Sequence, residues 1–404
     1  MEERTEPLFG KKKNITRFRK DKRYAVAAAI HSVAVLGMLA IFLFTLICFH
    51  EELTPENFRR VWLSLRSAEA ASDPFTEYRF ESGLQTECVP LGEGLAVISA
   101  DRYSYIGGLG TSFSSQLNYQ NPALCVSERT ALIYDRSGKN FCVTSPYMDF
   151  LRETLSSPIL DASINQAGAF ALVTDEEGYR AAVTVYSARQ KLLCKWMTSQ
   201  YYVMKASVSP DSSRFAALCF CQDGLSLSTE IKVFRIGEEE ALWSYSLGKR
   251  QVYSMTHDKS GGLLILCDDG YLCLDEAGTV TESGSFSVPP DRFAATESGD
   301  LLVAFAEAQQ NVQRVRFTVI GEGGSVRCNG TANGALRAVA CRGGTGCVLT
   351  KNGLTVIPFE EGEKTRLVQI SARARGVVCT ENGNPIVIYS DRAEKLRLTE
   401  KEDY

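Results

Sequence analysis

Few residues of this 404-residue chain stand in arrangements that could do chemistry, and each has a plainer use. His257 and Asp258 adjoin in "SMTHDKSGG", a pairing from which a general base and its orienting carboxylate could be built. Alignment of this stretch with Pro210-Asp211 of "SVSPDSSRF" makes it a turn position instead. Asp268-Asp269-Gly270 could offer oxygens to calcium; a tight hairpin turn between two apolar runs explains the same residues. "GGLGTS", Gly107 to Ser112, imitates a phosphate-binding loop but lacks the following lysine and the helix, and so reads as a glycine-rich strand or loop. Asn329 opens "NGT", a glycosylation acceptor pattern whose use depends on the host. No nucleophile elbow or zinc-protease helix motif occurs. The sequence therefore assigns no catalytic, cofactor-binding or metal-binding residue and no cofactor.

The thirteen cysteines invite a disulfide framework, yet their placement argues against one. Cys125, Cys142, Cys194, Cys219, Cys267, Cys273, Cys347 and Cys379 all lie within apolar, strand-like runs, where a free thiol serves as a small buried hydrophobe. Mostly reduced thiols are expected. Cys341 and Cys347, flanking "RGGTG", are the best candidates for a cross-strand bridge. Metal binding is disfavoured: the one CxC, Cys219 and Cys221, sits in a strand-like run, and the chain has only three histidines.

Those residues are carried by a repeat. From Phe75 onward an apolar run enters a turn and leaves as a second apolar run, the pattern of a hairpin. The turn recurs near Gly94, Arg129, Gly168, Ser213, Gly261, Gly299, Gly344 and Gly383. The strand after it reads "LAVIS", "ALIYD", "FALVT", "FAALCF", "LLILC", "LLVAF", "CVLT" and "PIVIY". Periods of about forty residues with four short strands each indicate an all-β β-propeller, because a four-stranded sheet has two faces to cover and radial stacking covers both. About eight four-stranded blades are expected, with seven as the alternative; a solenoid or two sandwiches are the competing arrangements. The last unit has only three strands of its own, "GVVC", "PIVIY" and "KLRL", and Phe75–Ser82 is expected to complete it as the outer strand.

"SPDSSRFAAL" resembles the inner hairpin of Tol-B-like and WD-like propeller repeats, while "KLLCKW" (Lys191 to Trp196) and "EEALWSYSLG" (Glu239 to Gly248) resemble the outer strand of PQQ-like repeats. Over residues 24–398 the chain is similar to uncharacterised single-pass propeller proteins of Gram-positive anaerobic bacteria. The resemblance implies a membrane-anchored propeller. Most units lack the PQQ-type tryptophan and none has a full Gly-His to Trp-Asp pair, which speaks against a quinone cofactor.

Ahead of the repeat, the chain divides by composition. Residues 1–23 form a basic head with nine Lys/Arg against four Asp/Glu. Residues 24–49 contain no Asp, Glu, Lys or Arg, and about 20 such residues suffice for a helix to cross a bilayer. The basic flank predicts a cytoplasmic N-terminus and an extracytoplasmic body in the cell membrane. A cleaved signal peptide, with "AEA" at Ala68 to Ala70 as its site, is the competing reading; the apolar run is too long for it. Residues 50–74 predict a short amphipathic linker helix with Phe58, Val61, Trp62 and Leu65 on one face, lying at the headgroups or docked on its own domain. The propeller is expected over 75–398 and a tail over 399–404.

The partners expected are the lipid bilayer through residues 24–49 and unidentified envelope or membrane proteins. Nucleic acid is not expected, since the body beyond the head carries net negative charge. Three functions follow in order of support: a non-catalytic protein-interaction or envelope-assembly scaffold, a ligand sensor coupled to a membrane partner because the short head leaves no room for a signalling domain, and a propeller enzyme with a central polar pocket.

Overall fold

The computed structural model describes residues 22–48, 77–79 and 87–396, except 93, 108–109, 224–225, 297–298, 310–311 and 361–363. The basic head up to residue 21, the linker over 50–74 and the tail over 399–404 lie outside the described residues. The chain divides into two compact units, residues 1–65 and 66–404.

The described residues of the first unit form one helix, Lys22–Cys48. Its described side chains, residues 30–41, 43 and 44, are exposed and almost wholly apolar. Among the described residues no helix is long and apolar enough to cross a membrane.

The second unit is a propeller of eight four-stranded antiparallel blades. Blades 1 to 7 follow one another at residues 87–116, 122–154, 159–198, 202–248, 252–285, 292–333 and 336–368, each with its strands in chain order from the axis outward. Blade 8 has Gly376–Cys379, Pro385–Ile388 and Arg392–Lys395 as its inner three strands. Its outermost strand is Glu77–Arg79, with Tyr78 opposite Ala393. The expected closure is thus observed, but the third strand lies slightly earlier than "KLRL". That shift puts Ala393 opposite both Ile388 and Tyr78.

The second strands are apolar on both faces because each blade is covered on both sides. The second strands Ala131–Asp135, Phe170–Thr174 and Leu263–Cys267 are buried at every position. The core is accordingly divided into eight clusters, one per seam. Among the described residues the seam between blades 3 and 4 gathers thirteen buried residues around Phe215, and the closing seam between blades 8 and 1 gathers seven around Tyr78. The two tryptophans of the PQQ-like strands dock each blade on the next: Trp196 packs on Phe234, and Trp243 Nε1 donates to Glu276 O at 2.9 Å.

The turns after the innermost strands fall where the repeat places them. Ser212 stands with φ 57° where Gly168 and Gly261 occupy the corresponding turns at 92° and 85°. A non-glycine residue there is strained, and its turn is held by Asp211, which accepts from Ser209 Oγ, Ser213 Oγ and Ser213 N. Burial raises the Asp211 pKa, but these hydrogen bonds and the Arg214 charge outweigh it and bring it down to about 2.

Candidate functional site

The innermost strands all run in one direction along the axis, so the ring has two chemically distinct mouths: one formed by the turns that end these strands, the other by the loops that begin them.

The first mouth is charged. A cavity of about 580 Å³ opens there, lined by inner turns of blades 2, 3, 5, 6, 7 and 8. Its charges are largely engaged with one another. Arg327 Nη2 lies 3.0 Å from Asp300 Oδ1, and Arg342 Nη2 lies 3.1 Å from Glu381 Oε1. Arg342 Nη1 also donates to Pro90 O at 3.2 Å, so one guanidinium ties blades 7, 8 and 1. Glu128, Lys259 and Glu322 complete the charged lining. Cys341 also reaches this cavity; burial pushes its thiol far above the usual range, leaving it protonated, and its Sγ donates to Ala294 O.

His257 is a strand residue, which corrects the turn position expected for it. It ends Val252–His257 opposite Leu263, and the turn begins at Asp258. Its Nδ1 lies 2.9 Å from Ser207 Oγ, linking blades 4 and 5. Burial lowers its pKa to about 4, against the opposing influence of Asp258, so the ring is neutral at pH 7. The Asp258 carboxylate holds its own turn, accepting from Ser260 Oγ at 2.7 Å and Gly262 N at 2.8 Å. The geometry is that of a buried inter-blade bond.

At the second mouth apolar side chains gather on blades 3 to 6. A β-bulge interrupts the innermost strand at the same point in blades 3, 4, 5 and 7, where the extra residues are Leu160, Met204, Tyr253 and Arg337. A bulge re-aims the side chain it inserts. Leu160 and Met204 are 37% and 52% exposed. Tyr253 stacks on Phe293 of blade 6 with centroids 6.1 Å apart and planes 12° apart.

Two hairpins rise beside this arc. In blade 6, Leu301–Gln309 runs five residues past Ala304, which faces the innermost strand's first residue, Arg292. At about 3.3 Å per residue that is roughly 16 Å. In blade 4, Arg214–Asp223 runs past Phe220 in the same way. Blade 5 between them turns back directly after Cys267. The blade 6 hairpin is braced by Arg316, whose guanidinium lies 4.3 Å above the Phe305 ring and 3.0 Å from Glu307.

The remaining residues singled out in the sequence lie in turns and strands of the blades. Asp268-Asp269 forms a hairpin turn, with Arg250 Nε 3.1 Å from Asp269. Gly107 pairs with Gly110 across a hairpin. Asn329 is exposed on the outermost strand of blade 6 and accepts from Thr318 Oγ1 at 2.7 Å. The twelve described cysteines are all free. The Cys341–Cys347 bridge is not formed, because Cys341 pairs with Gly346 and Cys347 with Ala340. That one-residue offset sends the two side chains to opposite faces. Among the described residues no three His, Cys, Asp or Glu side chains gather as a metal site.

Residues 72–398 match the model of a family described as a family of unknown function, DUF5711. The chain belongs to that family. None of the curated protein sequences matches it. Among solved structures, the C-terminal WD40 domain of Sif2 is similar over 81% of this chain and 98% of its own, with TM-score 0.58 and 11% identity. The Dos1 propeller is similar over 81% and 95%, with TM-score 0.57 and 10% identity. BamB from Moraxella catarrhalis is similar over 80% and 98%, with TM-score 0.51 and 12% identity. At such identities the likeness is one of fold, that of a β-propeller.

Proposed function

We propose that the chain is a membrane-anchored, extracytoplasmic propeller that acts by binding other envelope or membrane proteins, without catalysis of its own. The observation that carries this reading is the run of apolar side chains at the second mouth, Leu160, Met204 and the Tyr253–Phe293 pair on blades 3 to 6, with the raised hairpins of blades 4 and 6 beside them. Exposed apolar surface gathered at one place and rimmed by polar residues suits a protein partner. The anchor rests on the charge-free stretch over 24–49 and its basic flank.

Photo-crosslinkers placed at Met204 and Tyr253 in cells should trap specific envelope proteins, whereas one at Glu128, in the charged mouth, should not. Equal crosslinking from both mouths, or turnover of a defined substrate by the purified protein, overturns the reading. A second reading, a sensor whose ligand enters the charged mouth, is favoured by the 580 Å³ cavity alone. Stabilisation by a small charged ligand that is lost in Lys259→Ala would support it.

A further inference from the structure

The seam between blades 7 and 8 brings two thiols together. Cys347 lies on the second strand of blade 7 and Cys379 ends the innermost strand of blade 8; both are buried, and their sulfurs are 3.4 Å apart. We propose that Cys347 and Cys379 form a modification site, a thiol pair that oxidises to a disulfide and locks the closing blade to the ring.

A disulfide holds its sulfurs about 2.05 Å apart, so the pair must approach by little more than 1 Å. The two sides are unequally able to move. Cys347 is held in its ladder by Ala340 on one side and Val356 on the other, whereas Cys379 adjoins the turn that follows its strand, so Cys379 makes the adjustment. Among the described residues blade 8 is also the least extended blade, with inner strands of four residues and an outer strand of three. Its hydrogen bond with Cys347, together with burial, holds the Cys379 thiol well above the usual range. The thiolate is the attacking species, so exchange requires blade 8 to open.

The oxidant is an external disulfide, such as oxidised glutathione. One cysteine thiolate attacks it, forming a mixed disulfide and releasing one thiol; the second cysteine attacks that mixed disulfide and releases the other. The two cysteines lose two electrons and two protons, and the oxidant leaves as two thiols. An extracytoplasmic body, as proposed above, meets such oxidants more often than a cytosolic one.

The test uses the full chain in detergent, equilibrated in oxidised or reduced glutathione under mild denaturant that opens the ring, then returned to buffer. The free thiols are alkylated after denaturation and the peptides mapped by mass. One crosslinked peptide joining 347 to 379 is expected in the oxidised sample, with alkylation of both thiols in the reduced one. The oxidised protein should melt about 5 °C higher, and Cys379→Ala should abolish that difference without creating another crosslink. Full alkylation of both cysteines after oxidation, or their pairing with other cysteines, overturns the proposal, and wild-type mapping decides this even if the variant fails to fold.

Discussion

The seam between blades 3 and 4 and the seam between blades 8 and 1 perform the same task with unequal means. The former packs thirteen buried residues, with Phe215 stacked on Phe234 at 5.0 Å and Trp196 closing over Phe234 at 4.4 Å. The latter packs seven of the described residues, and joins strands from opposite ends of the repeat array. Since stability follows apolar area removed from water, the described residues give the seam between blades 3 and 4 more to lose than the closing seam. Among the described residues of the closing seam Tyr78, fully buried, is the largest.

The largest test of this contrast removes the closing strand. Deleting residues 50–82 should lower the melting temperature cooperatively, while deleting 50–72 should not; equal values would remove the unequal-seam picture. Next, Phe215→Ala should cost about 3–5 kcal/mol in denaturant unfolding, with unfolding remaining a single transition. Tyr78→Ala should instead show blade 8 exchanging its amides early, so hydrogen exchange separates the two seams where total stability does not.

A smaller loss is expected where the turns of blades 7 and 8 nest. Gly343 has φ 58°, and a Cβ there would collide with Glu381 O. Gly343→Ala should thus cost roughly 2–4 kcal/mol through left-handed strain and overpacking.

The smallest effect is tied to pH. The folded His257 pKa is depressed to about 4 by burial, while its unfolded value is near 6.5. The unfolded chain takes up the proton first as pH falls, so this contribution is complete above 6.5 and is lost between 6.5 and 4. It is at most about 3 kcal/mol. His257→Asn should flatten the melting profile across that window; an unchanged profile would show that the blade 4–5 seam does not sense protonation.

Much of the ring was legible because its repeat is written in turn chemistry and apolar runs, which act locally. The eight inner turns and the pairing of Phe75–Ser82 with the last blade needed only period and edge reasoning. The apolar mouth was not legible. Leu160, Met204 and Tyr253 are brought outward by bulges, and a bulge is a mismatch between two strands that neither strand's residues announce alone. The one signal was length: the 48-residue interval from Ser213 to Gly261 accommodates the long blade 4 hairpin. His257 was misplaced because the turn after it opens with Asp258, whose carboxylate does the same work as Asp211 one repeat earlier. The Cys347–Cys379 contact joins different blades, so no spacing within one repeat could point to it.

The pairing of Tyr78 with Ala393 also sets a schedule for synthesis. The first strand of the propeller leaves the ribosome roughly 300 residues before its partner does. At about 5–20 residues per second it waits some 15–60 s with a free edge. Blades 1 to 7 can each close on their own residues as they emerge, so the nascent chain grows as an open arc. During that interval the edge of Glu77–Arg79 is the place where a neighbouring nascent copy could pair in error, and where a chaperone would do most good.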